Sequence, residues 1–258
     1  MTRRARTPRE LIAPWAFGLL LFAGWWAVSA WSKVPAFLLP SPLTVASRFV
    51  TDLAGGQLWP YIWTTVAEAV LGALAGTAVA LPLAVLIHRS RWTSAAVQPF
   101  LGATQAIPAI ALAPLLVLWV GYGLAPIVTL CALMVFFPIL ISSVLGLRQV
   151  DRDLIAAARI DGAGSFDLLF EIEAPLALPA VLAGLRNGFT LSVTGAVVGE
   201  MVMGGQGVGT VLTVQRDSVD TAGMFASIAI LCLIASAAYG LILAWERRSR
   251  IVDSVIGN

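Results

Sequence analysis

Asp151–Pro175, DRDLIAAARIDGAGSFDLLFEIEAP, is the longest polar segment between two long apolar runs of the chain. It sets Arg152 and Arg159 against Asp151, Asp153, Asp161, Asp167, Glu171 and Glu173. Local signals predict two short helices with a bend between them. Asp151 or Asp153 can cap the first, and Leu154, Ile155 and Ala158 give it an apolar side. Gly162 stands where a helix C-terminal glycine belongs, and Gly164 follows. Ser165 is the expected cap of the second helix, whose apolar side is Phe166, Leu169 and Phe170. Pro175 is expected to break the pattern.

The rest of the chain says where this segment sits. Of 258 residues, 59% are hydrophobic and 12% charged, with a mean hydropathy of +0.90. Soluble domains are about half apolar and about a quarter charged, so this is an integral membrane protein. Its apolar runs are long enough to cross a bilayer. The basic residues are spread over short loops, and a net charge of +2 carries no nucleic-acid message. One histidine and two distant cysteines exclude a metal cluster. Cys131 and Cys232 both fall in apolar runs and read as small buried residues.

Six spans are expected, near residues 11–31, 62–87, 96–119, 124–146, 176–199 and 225–245. The first follows a basic start and could pass for a signal peptide. Its length and Trp25-Trp26 make it a retained helix. Residues 32–61 read as a proline-rich loop, and Pro99, Pro108 and Pro114 interrupt the third span. Gly72 and Gly76 offer a small-residue face for close helix packing. Arginine and lysine counts orient the chain. Arg3, Arg4, Arg6, Arg9, Arg89, Arg91, Arg148, Arg152, Arg159, Arg247, Arg248 and Arg250 fall on one side, and Lys33, Arg48 and Arg216 on the other. The expectation is cytoplasmic N- and C-termini, with Asp151–Pro175 a cytoplasmic knob shaped for another protein to grip.

The knob resembles the cytoplasmic signature loop of ABC importer permeases. That pattern begins Glu-Ala-Ala, places a glycine four residues after the second alanine, and ends Ile-x-Leu-Pro after nine more. Here it reads Ala156, Ala157, Ala158, then Gly162, then Ile172, Glu173, Ala174, Pro175. The spacing fits throughout; Ala156 stands in place of Glu and Ala174 in place of Leu, with Asp153 or Asp161 the candidates to replace the lost charge. Phe37–Val45, FLLPSPLTV, and Trp119-Val120-Gly121-Tyr122-Gly123 resemble the nitrate, sulfonate, taurine and vitamin-precursor subfamily. Thr64-Thr65-Val66 and Gly184-Leu185-Arg186-Asn187-Gly188 add to the likeness, which runs from about Leu11 to the end.

The resemblance implies an all-α permease of the type I importer fold, a single domain over residues 1–258 with the coupling loop at 151–175. It implies a bacterial inner-membrane location and a second permease subunit, in a homodimer. Two cytoplasmic ABC ATPases and an extracytoplasmic binding protein complete the assembly. The ATPase-coupling positions it carries over are Ala157, Ala158, Arg159, Asp161, Gly162, Ala163, Ser165 and Phe166. The implied solute is a sulfonate, nitrate, bicarbonate, or a pyrimidine or flavin vitamin precursor. ATP and Mg²⁺ belong to the partner ATPase, and this chain has no cofactor of its own.

The residues themselves limit the chemistry. A phosphate-cradling P-loop needs a lysine, and the only lysine is Lys33 in an outer loop. Gly204-Gly205-Gln206-Gly207-Val208-Gly209 looks like a nucleotide-binding run but follows no strand. It reads as a turn that shapes the outer mouth of the pathway. Ser192, Thr194 and Glu200, on the fifth span or at its outer end, are the candidate pathway residues, although helix geometry does not put them on one stripe. Glu68 and Arg186 are ionisable groups in or near the membrane, and intramembrane charge faces protein or water. They are the main support for a rival reading, an ion-coupled carrier. A membrane scaffold without transport is a further rival. His88 reads as an interfacial residue rather than a ligand, and no catalytic set converges on one face.

Overall fold

The structure, a computed structural model, describes residues 8–31, 35, 37–105 and 108–248. Arg3, Arg4, Arg6, Lys33 and Arg250, used above for orientation, lie outside the described residues. Among the described residues all regular structure is helical. The order is α1 (Pro8–Trp31), α2 (Pro42–Ala54), α3 (Trp59–Arg89), α4 (Arg91–Gln105), α5 (Ala109–Val120), α6 (Leu124–Arg148), α7 (Arg152–Ile160), α8 (Ser165–Asp167), a π-helical segment (Leu168–Glu173), α9 (Ala174–Met203), α10 (Val208–Asp217) and α11 (Thr221–Arg248). Four helical stretches are long and apolar enough to cross a membrane: Trp59–Arg89, Leu124–Arg148, Ser165–Met203 and Thr221–Glu246. Two shorter apolar helical stretches, Trp15–Trp31 and Ile110–Val120, fall within the first and third expected spans.

The centre of the bundle is α6, packed between α3 and α9. Glycines on both neighbours make that approach possible. A Cβ on Gly72 would collide with Cys131 Cβ, and one on Gly76 would lie 2.6 Å from the Ala132 carbonyl. From the other side Gly184 meets Ser142, Gly188 meets Val135 and Ile139, Gly195 meets Cys131 and Met134, and Gly199 meets Ile127. The apolar core follows this seam. Ala69, Ile127, Leu130, Cys131, Val193 and Ala196 close one end, and Ala73, Ala80, Val135, Ile139 and Leu140 the other. In lipid, where tails are as apolar as leucine, such close backbone packing does the work that hydrophobic burial does in water.

Three expectations need correction. Of the three prolines expected to interrupt the third span, Pro108 stands at the α5 N-cap with an extended backbone, φ −63° and ψ 116°, but Pro99 and Pro114 lie inside α4 and α5. The 32–61 loop contains α2, which begins at Ser41-Pro42: the Ser41 hydroxyl accepts from Thr44 N at 3.2 Å and proline takes the first turn, where its missing donor costs nothing. Cys232 is exposed, unlike buried Cys131. It lies on α11, much of whose surface is free in this protomer, and a small apolar thiol is at home against lipid.

Candidate functional site

The knob is built as two helical pieces around a glycine bend. Asp151 caps α7, its Oδ1 accepting from Asp153 N at 2.9 Å. The run of alanines then favours helix. At the other end Gly162 has φ +93°, while Ala163 N donates to Ala158 O at 3.0 Å and Gly162 N to Arg159 O at 3.1 Å. These two bonds form a Schellman motif, and a left-handed residue at this place is what a glycine supplies without a Cβ penalty. Ser165 is not the second cap. Gly164 holds that position, and Asp167 reaches back to it, Oδ2 accepting from the Gly164 N–H at 2.9 Å.

Pro175 does not break the chain of helices. Residues Leu168–Glu173 widen into a π-helical segment that runs directly into α9, with Pro175 in its first turn. The wider ladder, in which Ala174 N donates to Leu169 O, absorbs the missing proline donor. Ser165–Met203 is therefore one helical rod of 39 residues from the knob through the membrane.

The inner side of the knob is fixed to the bundle. Leu169 packs with Leu147 and Ala177, and Leu168 is buried. Glu173, 3% exposed, meets Arg89 Nη2 at 2.8 Å and His88 Nε2 at 3.2 Å, and Arg89 also donates to the Ser165 carbonyl at 2.8 Å. The end of α3 thus clasps both the start of α8 and the end of the π segment. His88, read above as an interfacial residue, has a carboxylate partner the sequence did not reveal.

The outer side is apolar and open. Phe166 is 77% exposed and Ile160 87%, with Leu154 and Phe170 also exposed, while Ile155 is half-buried. Ala157, Arg159, Asp161, Gly162, Ser165 and Phe166 are exposed and Ala158 and Ala163 half-buried, so the eight coupling positions share one knob.

The other candidate residues separate by face. On α9, Asn187, Leu191, Thr194 and Met201 are exposed and recur at spacings of four, three and seven residues, one stripe of a helix. Ser192 and Glu200 face the opposite way. Ser192 Oγ donates to the Ala69 carbonyl at 2.6 Å. Glu200, 1% exposed, accepts from Thr65 Oγ1 at 2.7 Å and from Gly209 N at 2.5 Å, while Thr65 Oγ1 also receives Val208 N at 2.9 Å. The glycine-rich run is therefore an anion cradle, and its anion is internal. Gly207 and Gly209 press against the Glu200 carboxylate so closely that a Cβ at either would strike it. That carboxylate sits on the N-terminus of α10, which carries partial positive charge and unpaired N–H groups. Glu68, 2% exposed, lies against Glu200. Arg186 pairs not with Glu68 but with Glu246 on α11, at 3.1 Å, and stacks over Tyr239. Thr65 and the glycines were the readable part of this node. Nothing in the sequence linked Thr65 to Glu200 across 135 residues.

The comparisons with known proteins agree with this geometry. Residues 70–251 match the family described as the binding-protein-dependent transport system inner membrane component. The chain is 43% identical to the riboflavin transport system permease protein of Chloroflexus aurantiacus, over 89% of this chain and 85% of the relative. It is 31% identical to the formylaminopyrimidine transport permease protein of Halalkalibacterium halodurans, over 93% and 98%. Among solved structures it resembles the MetNI methionine ABC transporter in an inward-facing conformation, with TM-score 0.63 and 21% identity over 75% of this chain and 93% of that one. The family match, the shared helical fold and the knob at its expected spacing place this chain in the family of binding-protein-dependent inner membrane components, as a permease subunit of an ABC importer.

Proposed function

We propose that two copies of this chain form the pathway of an importer for a flavin or pyrimidine vitamin precursor. Two cytoplasmic ABC ATPases, holding ATP and Mg²⁺, drive it, and an extracytoplasmic binding protein delivers the solute. The knob end and both termini are cytoplasmic. The observation that carries the reading is the unbroken rod from Ser165 to Met203. A displacement imposed on Phe166 by an ATPase is transmitted along one helix to Thr194, without a hinge loop between them. The exposed α9 stripe Asn187–Leu191–Thr194–Met201 faces the second copy or the pathway between the two. Ser192 and Glu200 act on the pathway by holding α9 against α3 and α10. Alternating access then follows from rigid-body reorientation of the two rods. The solute class is supported by the 43% and 31% identical relatives, named for riboflavin and formylaminopyrimidine; sulfonate and nitrate are the competing solutes.

The test is uptake into proteoliposomes containing the chain, the ATPase and the binding protein, with labelled riboflavin, formylaminopyrimidine, sulfonate and nitrate in parallel. The reading expects uptake of a vitamin precursor that requires ATP and survives ionophores. Uptake without the ATPase that collapses with the ion gradient would establish an ion-coupled carrier instead.

A further inference from the structure

At the knob end, a cavity of about 540 Å³ opens between the end of α3, the start of α4, the end of α6 and the first turn of α7. Its lining includes Arg91, Arg148, Arg152 and His88, with Ser94 and Ile155. No aspartate or glutamate lines it. Among the described residues, none of the three arginines forms an ion pair with a carboxylate. Arg148 donates one N–H to Ser94 Oγ at 2.9 Å, which holds its guanidinium beside α4, and among the described residues its other donors have no hydrogen-bond partner. His88 is turned to Glu173, and that glutamate is already held by Arg89. Three guanidiniums from three different helices therefore converge on one cleft without an internal counter-charge. Like charges brought together repel, and the arrangement is relieved by an anion with several acceptor oxygens.

The level of the cavity narrows the anion. It lies where α3 and α6 end and α4 begins, next in sequence to Trp92, which is 89% exposed. A bare tryptophan next to arginines at the end of membrane-crossing helices marks the headgroup layer, and basic pockets between such helices on the cytoplasmic side suit lipid phosphates. We propose that this cavity binds a phosphate-bearing anion at the headgroup layer, with Arg91, Arg148 and Arg152 as its ligands. The assignment of the cleft to the cytoplasmic leaflet rests on the importer reading; the binding itself does not. An occupant here would touch α7 through Arg152 and Ile155, and so would brace the knob against α3 and α6.

The experiment uses the full chain in nanodiscs and no ATPase, so its outcome is independent of the transport assay. Thermal unfolding is compared in phosphatidylcholine discs, in discs containing phosphatidylglycerol, and in phosphatidylcholine discs with millimolar inorganic phosphate. Variants are Arg91→Gln, Arg148→Gln and Arg152→Gln, singly and together. Ser94→Ala releases only the Arg148 contact. Arg159→Gln removes an arginine of the same face outside the cavity. The expected result is stabilisation by phosphatidylglycerol, with apparent affinity falling roughly fivefold per arginine removed. Ser94→Ala should weaken it and Arg159→Gln should not. Stabilisation by inorganic phosphate alone, lost in the same variants, would identify a dissolved phosphate as the occupant. No stabilisation by either, or an equal loss in Arg159→Gln, overturns the site in favour of diffuse surface charge. The single variants keep the test decisive if the triple variant does not fold.

Discussion

Glu200→Ala separates a structural role from a pathway role for the most deeply buried acidic group of α9. In the structure this carboxylate accepts from Thr65 Oγ1 and from Gly209 N and lies against the buried Glu68. Thr65 has a fallback, since its hydroxyl is also 3.1 Å from the Tyr61 carbonyl. The main loss is therefore one buried N–H left without an acceptor, about 1–3 kcal/mol. Removing negative charge from the α10 N-terminus adds about 0.3–2 kcal/mol. The sum, roughly 1–5 kcal/mol, corresponds to a fall in Tm of about 2–20 °C for a chain of this size. Glu200→Gln keeps one acceptor oxygen and should fall between wild type and alanine. Thr65→Val removes both the donor to Glu200 and the acceptor of Val208 N, and should destabilise comparably. The nine tryptophans make intrinsic fluorescence a suitable monitor in detergent. A wild-type Tm for Glu200→Ala with transport abolished would refute this reasoning and return Glu200 to the pathway itself.

Other positions test other links. Gly162→Val forces a β-branched residue to φ +93°, a cost of about 1–2 kcal/mol at the bend; the six spans should insert normally while ATPase recovery and transport fall, as measured by co-purification and uptake. Gly72→Val drives a side chain into Cys131 and the Val128 carbonyl and should cost about 1–3 kcal/mol or more by overpacking, whereas Gly18→Ala, with nothing within 4 Å of the added carbon, should leave Tm unchanged. In a Cys232→Ser background, Thr194→Cys should react with small aqueous thiol reagents and Ser192→Cys should be protected; equal reactivity would mean that α9 is rotated from the face assigned here.

What could be read in the sequence follows from how local its causes are. The knob was legible because Asp151, Gly162 and the apolar residues act within a few positions of one another. The spans were legible because bilayer thickness fixes their length. The Ser165 cap failed because the helix starts one residue earlier: Gly164 takes the cap position, its N–H bonded to Asp167. Pro175 misled because a π segment can absorb a missing donor. Gly72 and Gly76 announced a close approach without naming the partner; α6 lies between two such glycine faces, and the second, Gly184 to Gly199, went unread. The bond from Thr65 to Glu200 and the pairing of Arg186 with Glu246 are contacts across the bundle that no spacing rule predicts, while Gly209 and Glu200 are only nine residues apart and meet where the chain turns between α9 and α10.

The central claim, that the knob is the ATPase's grip on the permease, rests most directly on Phe166. This ring is 77% exposed, so Phe166→Ala should leave insertion and Tm unchanged. Covering a phenylalanine fully contributes about 1.5–3 kcal/mol. At about 1.4 kcal/mol per tenfold, its removal should weaken the ATPase–permease complex roughly 10- to 150-fold per knob. The measurement is the affinity of the purified ATPase for the permease in nanodiscs, wild type against Phe166→Ala, together with transport-stimulated ATP hydrolysis. The account predicts a loss of affinity in that range and reduced stimulation. Unchanged affinity with unchanged stimulation would place Phe166 against lipid rather than the ATPase and contradict it.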